Sequence, residues 1–508
     1  MLLLAGIIFV LAVAVVSVVF PPWNFPKNIP TVPFYVTFLP TFFDLDQEDI
    51  FARYLKKPME EYGAVKIYFG SRWNILISRP EYLAQIFKDE DTFAKSGNQK
   101  KIPYSVIAAY TGENVISAHG AIWRVFRRTL TPGLQFFDDE PMIKNADTFC
   151  EIIKSQIDTA TENDTCKSDG NDLKEKPIEK NFKAALVMPE LLQKLAMANI
   201  AQVVLGFDVG TLSDKNSVIH QALKNVKRQI FRPLFLNFPF LDLLPIPSRT
   251  KARKDVEHFR TLLVDEVEHN IVTNYRFEQT SFAVSDLIRT YNREEITRNQ
   301  LINNIVIMMV AGHENPQLLM TSCLYMLAKS KDDWQVKIRN EVEANTGSLA
   351  ELPCLNSFIF ECVRLYPPLS QIINRETSKT CLLGNNIVIP KGVYVGYNVY
   401  GTGRYPAAWG IDANQFMPQR WGDKIENIMN EWRHRKNTCA MSAFHGGRRA
   451  CLGEKLALNE VRITLAAMLK TFQWQFAPDW VEKMTPAGPL CPLNLKLEFS
   501  LRKGHEME

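Results

Sequence analysis

The sequence predicts a mainly α-helical protein with small β-sheets, in the α+β class. The longest helical pattern runs from Glu294 to Ser330, and its centre at residues 305–312 is apolar on all sides, which indicates a buried helix. Residues 65–77 predict a β-hairpin, because two runs of β-branched and aromatic residues flank a Gly-Ser-Arg turn. A second short hairpin is predicted at residues 387–395, around a Pro-Lys-Gly turn.

The composition is that of a globular protein and argues against nucleic acid as a partner. The 508 residues include 46% hydrophobic and 22% charged residues, and the net charge is only +4. No arginine-rich tail accompanies that charge. The nine cysteines are irregularly spaced and form no Cys-x-x-Cys pair, which favours a reducing, cytosol-facing environment over a disulfide framework.

The N-terminus predicts a membrane anchor helix at residues 1–20. Residues 2–20 carry no charge and would span roughly 28 Å as a helix, close to the thickness of a bilayer core. A cleaved signal peptide is the alternative, although no basic residue precedes the run. Residues 21–45 form a proline-rich linker, and residues 46–508 form one catalytic domain. Lys27 is the first positive charge and places that domain on the cytosolic side.

One cysteine has surroundings suited to chemistry. Cys451 follows Gly446 and Gly447, which permit a tight turn, and it precedes a predicted helix that begins near Gly453. The N-terminus of a helix stabilises a thiolate through its unpaired N–H groups and its dipole. The alternative for an isolated cysteine of this kind is a buried structural thiol.

The long helix contains a polar interruption in its apolar centre. His313, Glu314 and Asn315 follow Gly312 directly, and burying such groups without partners is expensive. Pro316 has no N–H, so the carbonyl of Gly312 loses its helical partner. The alternative is that the helix ends at Pro316, but the helical pattern continues beyond it.

The run from Phe444 to Gly453 fits the pattern Phe-x-x-Gly-x-Arg-x-Cys-x-Gly, which resembles the haem-thiolate loop of the cytochrome P450 family. This resemblance implies the cytochrome P450 fold, with haem b between the long distal helix and the cysteine loop. It also implies that Cys451 is the axial ligand of the haem iron, where its thiolate favours O–O cleavage.

Other motifs of the family follow in the expected order. Trp123 and Arg127 resemble its Trp-x-x-x-Arg helix, and Arg375 matches a second arginine that binds a haem propionate. Glu361, Arg364 and Arg420 resemble its structural Glu-Arg-Arg triad, which braces the cysteine loop. The resemblance therefore assigns cofactor binding to Trp123, Arg127, Arg375, Phe444, Arg449, Cys451 and Gly453. It assigns the substrate pocket to Val310, Leu369, Ser370, Ile372, Ile373 and Leu490.

The distal helix departs from the family pattern. Asn315 and Pro316 stand where the family usually has threonine and then threonine or serine, and the first threonine assists proton delivery during oxygen activation. This segment, residues 389–397 and residues 490–497 resemble the fungal spore-wall branch of the family. That resemblance implies oxidative phenol coupling of two N-formyltyrosines to N,N′-bisformyl dityrosine. His313, Glu314 and Asn315 are then the candidate catalytic residues, with the first two accepting the phenol proton.

Three other functions stay open. One is conventional hydroxylation of a lipid or a xenobiotic, and another is isomerisation or dehydration of a hydroperoxide, which needs no reductase. The third is a membrane-anchored haem sensor. The basic run at residues 432–436, before the cysteine loop, is either a solvated face or a docking site for an acidic NADPH–cytochrome reductase, with cytochrome b5 as a second electron donor. The resemblance places the enzyme in the endoplasmic reticulum membrane. Candidates for the substrate carboxylate are Arg72, Lys100 and Lys101.

Overall fold

Helices dominate the structure, as the sequence predicts, and the strands form small sheets. The computed structural model describes residues 2–167, 183–213, 217–230, 232–273, 282–330 and 333–502. The α-helices of this part of the chain are Leu2–Val19, Leu39–Phe42, Gln47–Ile50, Lys56–Tyr62, Pro80–Lys88, Asn98–Lys101, Val106–Thr111, Gly120–Gln135, Glu140–Lys167, Met188–Ile200, Val218–Ile230, Pro233–Asn237, Pro247–Thr273, Ala283–Asn292, Arg298–Lys329, Trp334–Ala344, Pro353–Leu365, Val399–Thr402, Pro406–Trp409, Ile425–Asn437 and Glu454–Thr471.

The strands of the described residues form three sheets. The strands are β1 Ala64–Phe69, β2 Arg72–Ile77, β3 Phe93–Lys95, β4 Lys183–Val187, β5 Gln371–Thr377, β6 Cys381–Leu383, β7 Ile387–Ile389, β8 Tyr394–Asn398, β9 Phe472–Phe476 and β10 Lys496–Leu501. The largest sheet has the order β1-β2-β8-β5-β3, and the others have the orders β4-β10-β9 and β6-β7. Both predicted hairpins contribute strands, although the two strands within residues 387–395 belong to different sheets and do not pair with each other.

The distal helix, Arg298–Lys329, runs through the core without ending at Pro316. Its start is fixed by a capping box, in which the side chains of Thr297 and Gln300 each accept a hydrogen bond from the other residue's backbone N–H. Gly312 allows close packing against the helix Met188–Ile200, because a side chain there would collide with Ile200. This packing holds the polar interruption at a fixed position beside neighbouring helices.

The N-terminal segment, residues 2–45, is part of the fold. Residues 2–19 form a helix, as predicted. In the ranges described above, no helix combines the length and the apolar character that crossing a membrane requires. The predicted linker at residues 21–45 packs against the rest of the fold. Ile29 and Val32 are buried, and the Lys66 ammonium donates to the carbonyl of Pro26 at 2.9 Å. The domain boundaries at residues 20 and 45 stay a prediction.

Candidate active site

Cys451 lies between a short 3₁₀ turn, Gly447–Arg449, and the helix Glu454–Thr471. The backbone N–H of Cys451 donates to the carbonyl of Phe444 at 2.9 Å, which closes the loop. Gly447 has a φ of +61°, and a side chain at this position would meet the carbonyl oxygen of Phe87. Glycine is therefore required here by both backbone conformation and space.

Cys451 is half-buried, and the positive charges of Arg127 and Lys436 lie near its sulfur. Burial raises the pKa of the thiol to about 11, while a hydrogen bond from the N–H of Gly453 and the charge of Arg127 oppose this rise. A bound metal ion converts such a thiol to the thiolate outright. The loop therefore offers a cysteine that can bind a metal ion, with the N–H of Gly453 donating to its sulfur.

The helix Gly120–Gln135 carries Trp123 and Arg127 on one face, as the four-residue spacing predicts. Arg127 donates from Nη1 to the carbonyl of Ala450 at 2.7 Å, so it fastens this helix to the cysteine loop. The ring of Trp123 stacks on Arg449, with the guanidinium carbon 3.7 Å from the ring centroid.

A cluster of buried cations surrounds Arg375. Its Nη1 donates to the carbonyl of Phe93 at 2.9 Å, whereas Nε and Nη2 are buried and have no partner in the described part of the chain. Lys95 is also buried, and its pKa is lowered well below the ordinary value by burial and by the charges of Arg375 and Arg449. Glu90 offsets part of this charge and forms an ion pair with Arg449.

These unpaired donors show that the cluster fits the anionic edge of a haem. Burying several cations with one carboxylate is unfavourable unless further negative charge is bound. The two propionates of haem supply that charge, and guanidinium groups bind carboxylates with a fork of donors. Arg375 and Lys95 would hold them, together with the Arg449–Trp123 stack.

The three residues predicted to brace the loop meet around one carboxylate. Glu361 accepts from Arg364 at 2.7 and 2.8 Å and from Arg420 at 2.9 Å. Trp421 donates to the same carboxylate at 3.1 Å. Glu361 and Arg364 are fully buried and neutralise each other, while Arg420 has a second carboxylate partner in Asp412 at 3.5 Å.

The polar interruption of the distal helix meets a lysine from another helix. Lys227 of the helix Val218–Ile230 lies 2.9 Å from the carboxylate of Glu314, and both side chains are about one-fifth exposed. The hydroxyl of Tyr110 is buried without a partner in the described chain, and its pKa is raised by burial and by the charge of Glu314. Lys227 and Tyr110 thus border Glu314 on the distal side.

His313 and Asn315 are directed differently from Glu314. His313 is fully buried, and its Nδ1 lies 2.7 Å from the carbonyl of Met309 while its Nε2 lies 3.5 Å from Lys227. Burial and the Lys227 charge lower the pKa of His313 to about 3, so the ring is neutral at physiological pH. Asn315 donates to the carbonyl of Ala311 at 3.2 Å, which leaves its amide oxygen as an acceptor.

The predicted pocket residues fall into two groups. Leu369 is 38% exposed, and Ile372 and Ile373 are half-buried on β5. Ser370 donates its hydroxyl to Gln47 at 2.6 Å, so this hydroxyl is already engaged. Val310 and Leu490 are buried, and Leu490 belongs to the main hydrophobic core. The role of all six as pocket residues stays a prediction.

Sequence reasoning missed four residues of this site: Glu90, Lys95, Tyr110 and Lys227. Lys227 lies on an amphipathic helix, where a lysine ordinarily indicates a solvated face. Lys95 and Glu90 belong to no local motif, and their partners come from distant parts of the chain. Tyr110 could have been predicted as a site residue from its position in a long irregular stretch of sequence, because such stretches often carry functional residues.

The chain matches the cytochrome P450 family over residues 30–499. It is 59% identical over 486 residues to Cytochrome P450-DIT2 of Saccharomyces cerevisiae, which covers 95% of each chain. It is 33% identical to the cytochrome P450 monooxygenase xanG of Aspergillus fumigatus, over 92% of this chain and 86% of that one. A crystal structure of a cytochrome P450 that is 21% identical superposes with a TM-score of 0.70, over 88% of this chain and 97% of the other.

Proposed function

Since this chain belongs to the cytochrome P450 family of haem-thiolate oxidoreductases, we propose that it joins two N-formyltyrosines by a carbon–carbon bond to give N,N′-bisformyl dityrosine for a spore wall. The observation that carries this proposal is the ion pair between Glu314 of the distal helix and Lys227 of a neighbouring helix, next to Asn315 in place of the usual threonine. The resemblance to the spore-wall branch supplies the substrate, and the 59% identity to the yeast relative supports it.

The reaction balances as an oxidation without oxygen insertion. Each phenol ring loses one electron and one proton, and the two rings then join. Two phenols, one dioxygen, one NADPH and one proton give one dityrosine, two waters and NADP⁺. When bound, a thiolate-ligated haem supplies the one-electron oxidation, with dioxygen as oxidant and NADPH-derived electrons.

The residues around Glu314 suit the handling of a phenol. The Glu314 carboxylate can accept the phenol proton, and the ammonium of Lys227 at 2.9 Å stabilises its charge. His313 has both ring nitrogens engaged and is neutral, so it acts as a positioning residue for Lys227. The amide oxygen of Asn315 can hold a water in place of the missing hydroxyl.

The test follows the product. The purified holoenzyme first receives dithionite and carbon monoxide, and the Soret band of a thiolate-ligated haem is expected. Reductase, NADPH and N-formyltyrosine are then added, and dityrosine fluorescence with the mass of the coupled dimer is expected. A hydroxylated monomer would instead indicate a conventional hydroxylase. Turnover of a hydroperoxide without reductase would indicate an isomerase.

We propose further that the reductase docks at the face around the helix Ile425–Asn437. Lys436 and Arg435 are paired with Glu454 and Glu431, so they contribute little free charge. The exposed guanidinium of Arg433 donates to Asn430 and keeps its charge, which suits an acidic partner. Arg433→Gln is expected to slow reduction by the reductase at low salt and to leave dithionite reduction unchanged.

The N-terminal helix Leu2–Val19 is proposed to attach the enzyme to the endoplasmic reticulum membrane, with the catalytic domain in the cytosol. The helix contains no charged residue, and Leu3, Phe9 and Val13 are more than half exposed. Carbonate extraction and protease protection of the full chain test this. Release by carbonate would contradict insertion of this helix into the bilayer, and protection of the catalytic domain would contradict its cytosolic side.

A further inference from the structure

Two neighbouring cations near the tip of the β1–β2 hairpin have no acidic partner in the described part of the chain. Arg72 begins β2, and Lys101 ends the helix Asn98–Lys101. Arg72 donates from Nη2 to the backbone carbonyl of Lys101 at 3.0 Å, which holds the Arg72 side chain at the end of this helix. The Nε of Arg72 is buried and has no hydrogen-bond partner among the described residues.

Both cations lie against the same aromatic ring. The Arg72 guanidinium is 4.7 Å and the Lys101 ammonium 4.8 Å from the centroid of the Tyr394 ring. Burial and the charge of Arg72 lower the pKa of Lys101 to about 7, which reflects two like charges held together away from water. A ring face stabilises a cation only in part, so an anion is the group that this arrangement lacks.

Lys100 differs from its neighbour. Its ammonium lies 3.4 Å from the carboxylate of Glu376, and its side chain is 63% exposed. Lys100 is therefore a solvated residue with an acidic partner. Of the three carboxylate candidates, the structure separates Arg72 and Lys101 from Lys100.

The cation pair adjoins the elements that lead to the distal site. Tyr394 lies on β8, which pairs with β5, the strand of the predicted pocket residues. The helix with Lys101 leads directly to the helix Val106–Thr111, which carries Tyr110 near Glu314. Ser71, at the hairpin tip, donates to the carbonyl of Asn237 at 2.6 Å, so the tip is fixed against a second segment.

We propose that Arg72 and Lys101 bind the carboxylate of an N-acyl amino acid substrate, with Tyr394 as the floor of the site. This rests on the proposed function, since N-formyltyrosine carries such a carboxylate next to its formamide. The Arg72 guanidinium offers an N–H without a partner among the described residues, and the Lys101 ammonium offers three N–H donors. Together they suit one carboxylate with two acceptor oxygens. Arg72 and Lys101 lie on other elements than Glu314, so carboxylate recognition there leaves the phenol free to reach the distal site.

The experiment compares two ligands that differ only in the carboxylate. N-formyltyrosine and N-formyltyramine are titrated by calorimetry into the wild-type holoenzyme, Arg72→Gln, Lys101→Met and the matched control Lys100→Met. The wild type is expected to bind N-formyltyrosine about tenfold more tightly than N-formyltyramine. Arg72→Gln and Lys101→Met are expected to remove that preference, whereas Lys100→Met retains it.

Unchanged binding of N-formyltyramine shows that each variant is folded and has an intact pocket. Lys227→Met tests the alternative that the carboxylate binds at the distal helix, because Lys227 forms an ion pair with Glu314 there. Loss of the preference in Lys227→Met alone would overturn the inference and move the carboxylate to the distal helix. Equal affinity of the wild type for both ligands would also overturn it and leave the proposed coupling intact. Binding of neither ligand would contradict the proposed function itself.

Discussion

Lys227 places its ammonium 2.9 Å from the carboxylate of Glu314, so a helix outside the haem-binding motifs contributes a charge to the distal site. The same ammonium lies 3.5 Å from Nε2 of His313. Glu314 of the polar interruption therefore forms a charged pair with Lys227, and the neutral ring of His313 lies beside the same lysine. This arrangement assigns Glu314 and His313 different roles.

Glu314→Gln is expected to lower the rate of dityrosine formation about 100-fold, because a positioned proton acceptor contributes that much or more. His313→Ala is expected to have a smaller effect, since the ring acts through Lys227. Both variants should load haem normally, as checked by the carbon monoxide spectrum. The matched control is Glu190→Gln, whose carboxylate forms a similar 2.7 Å pair with Lys224 at the surface. Unchanged turnover in both distal variants would contradict the assignment.

Arg375→Ala is expected to weaken haem retention. The variant removes a fully buried guanidinium that has two donors without a partner among the described residues, and charged hydrogen bonds of this kind change affinity by about 10- to 100-fold. Transfer of haem to an apoglobin measures the loss rate, without any turnover. Arg339→Ala is the control, because Arg339 is also buried but donates to the carbonyl of Leu469. Equal loss rates in the two variants would argue against the propionate site.

Glu361→Gln is expected to destabilise the fold by about 3–5 kcal/mol, because it leaves Arg364 buried without a counter-charge. Chemical denaturation of the holoenzyme measures this change. The surface pair of Glu343 and Arg502 provides the control, and Glu343→Gln is expected to change stability by less than about 1 kcal/mol. A small effect at Glu361 would show that the triad is dispensable.

Glu460→Gln is expected to stabilise the protein at pH 8 and to leave it unchanged near pH 4. Burial raises the pKa of Glu460 to about 8, with Asn199 donating to its carboxyl at 3.0 Å. The folded state thus holds the proton more tightly than the unfolded state, so stability falls as pH rises from about 4.5 towards 8. Glutamine resembles the protonated acid, and the gain at pH 8 should be roughly 4 kcal/mol. Denaturation curves at the two pH values measure it, and parallel pH dependence in both proteins would contradict it.

The haem side of the molecule was largely predictable because its motifs are local. Trp123 and Arg127 are four residues apart, and Glu361 and Arg364 are three apart, so helical periodicity alone places each pair on one face. Cys451 is marked by the glycines and the helix around it. The helical pattern also predicted correctly that the distal helix continues beyond Pro316, where packing of this helix outweighs one lost backbone hydrogen bond.

The sequence by itself singled out Cys451 in its glycine-containing loop, and it determined the buried distal helix and the polar residues that interrupt it. Only the tertiary structure decided what those polar residues meet: Lys227 beside Glu314, and the cation cluster of Arg375, Lys95 and Arg449 around one carboxylate. The physical reason is that periodicity fixes which side chains share a face of one element. Which distant element packs against that face depends on the whole core, and so do the charges that have to be balanced there.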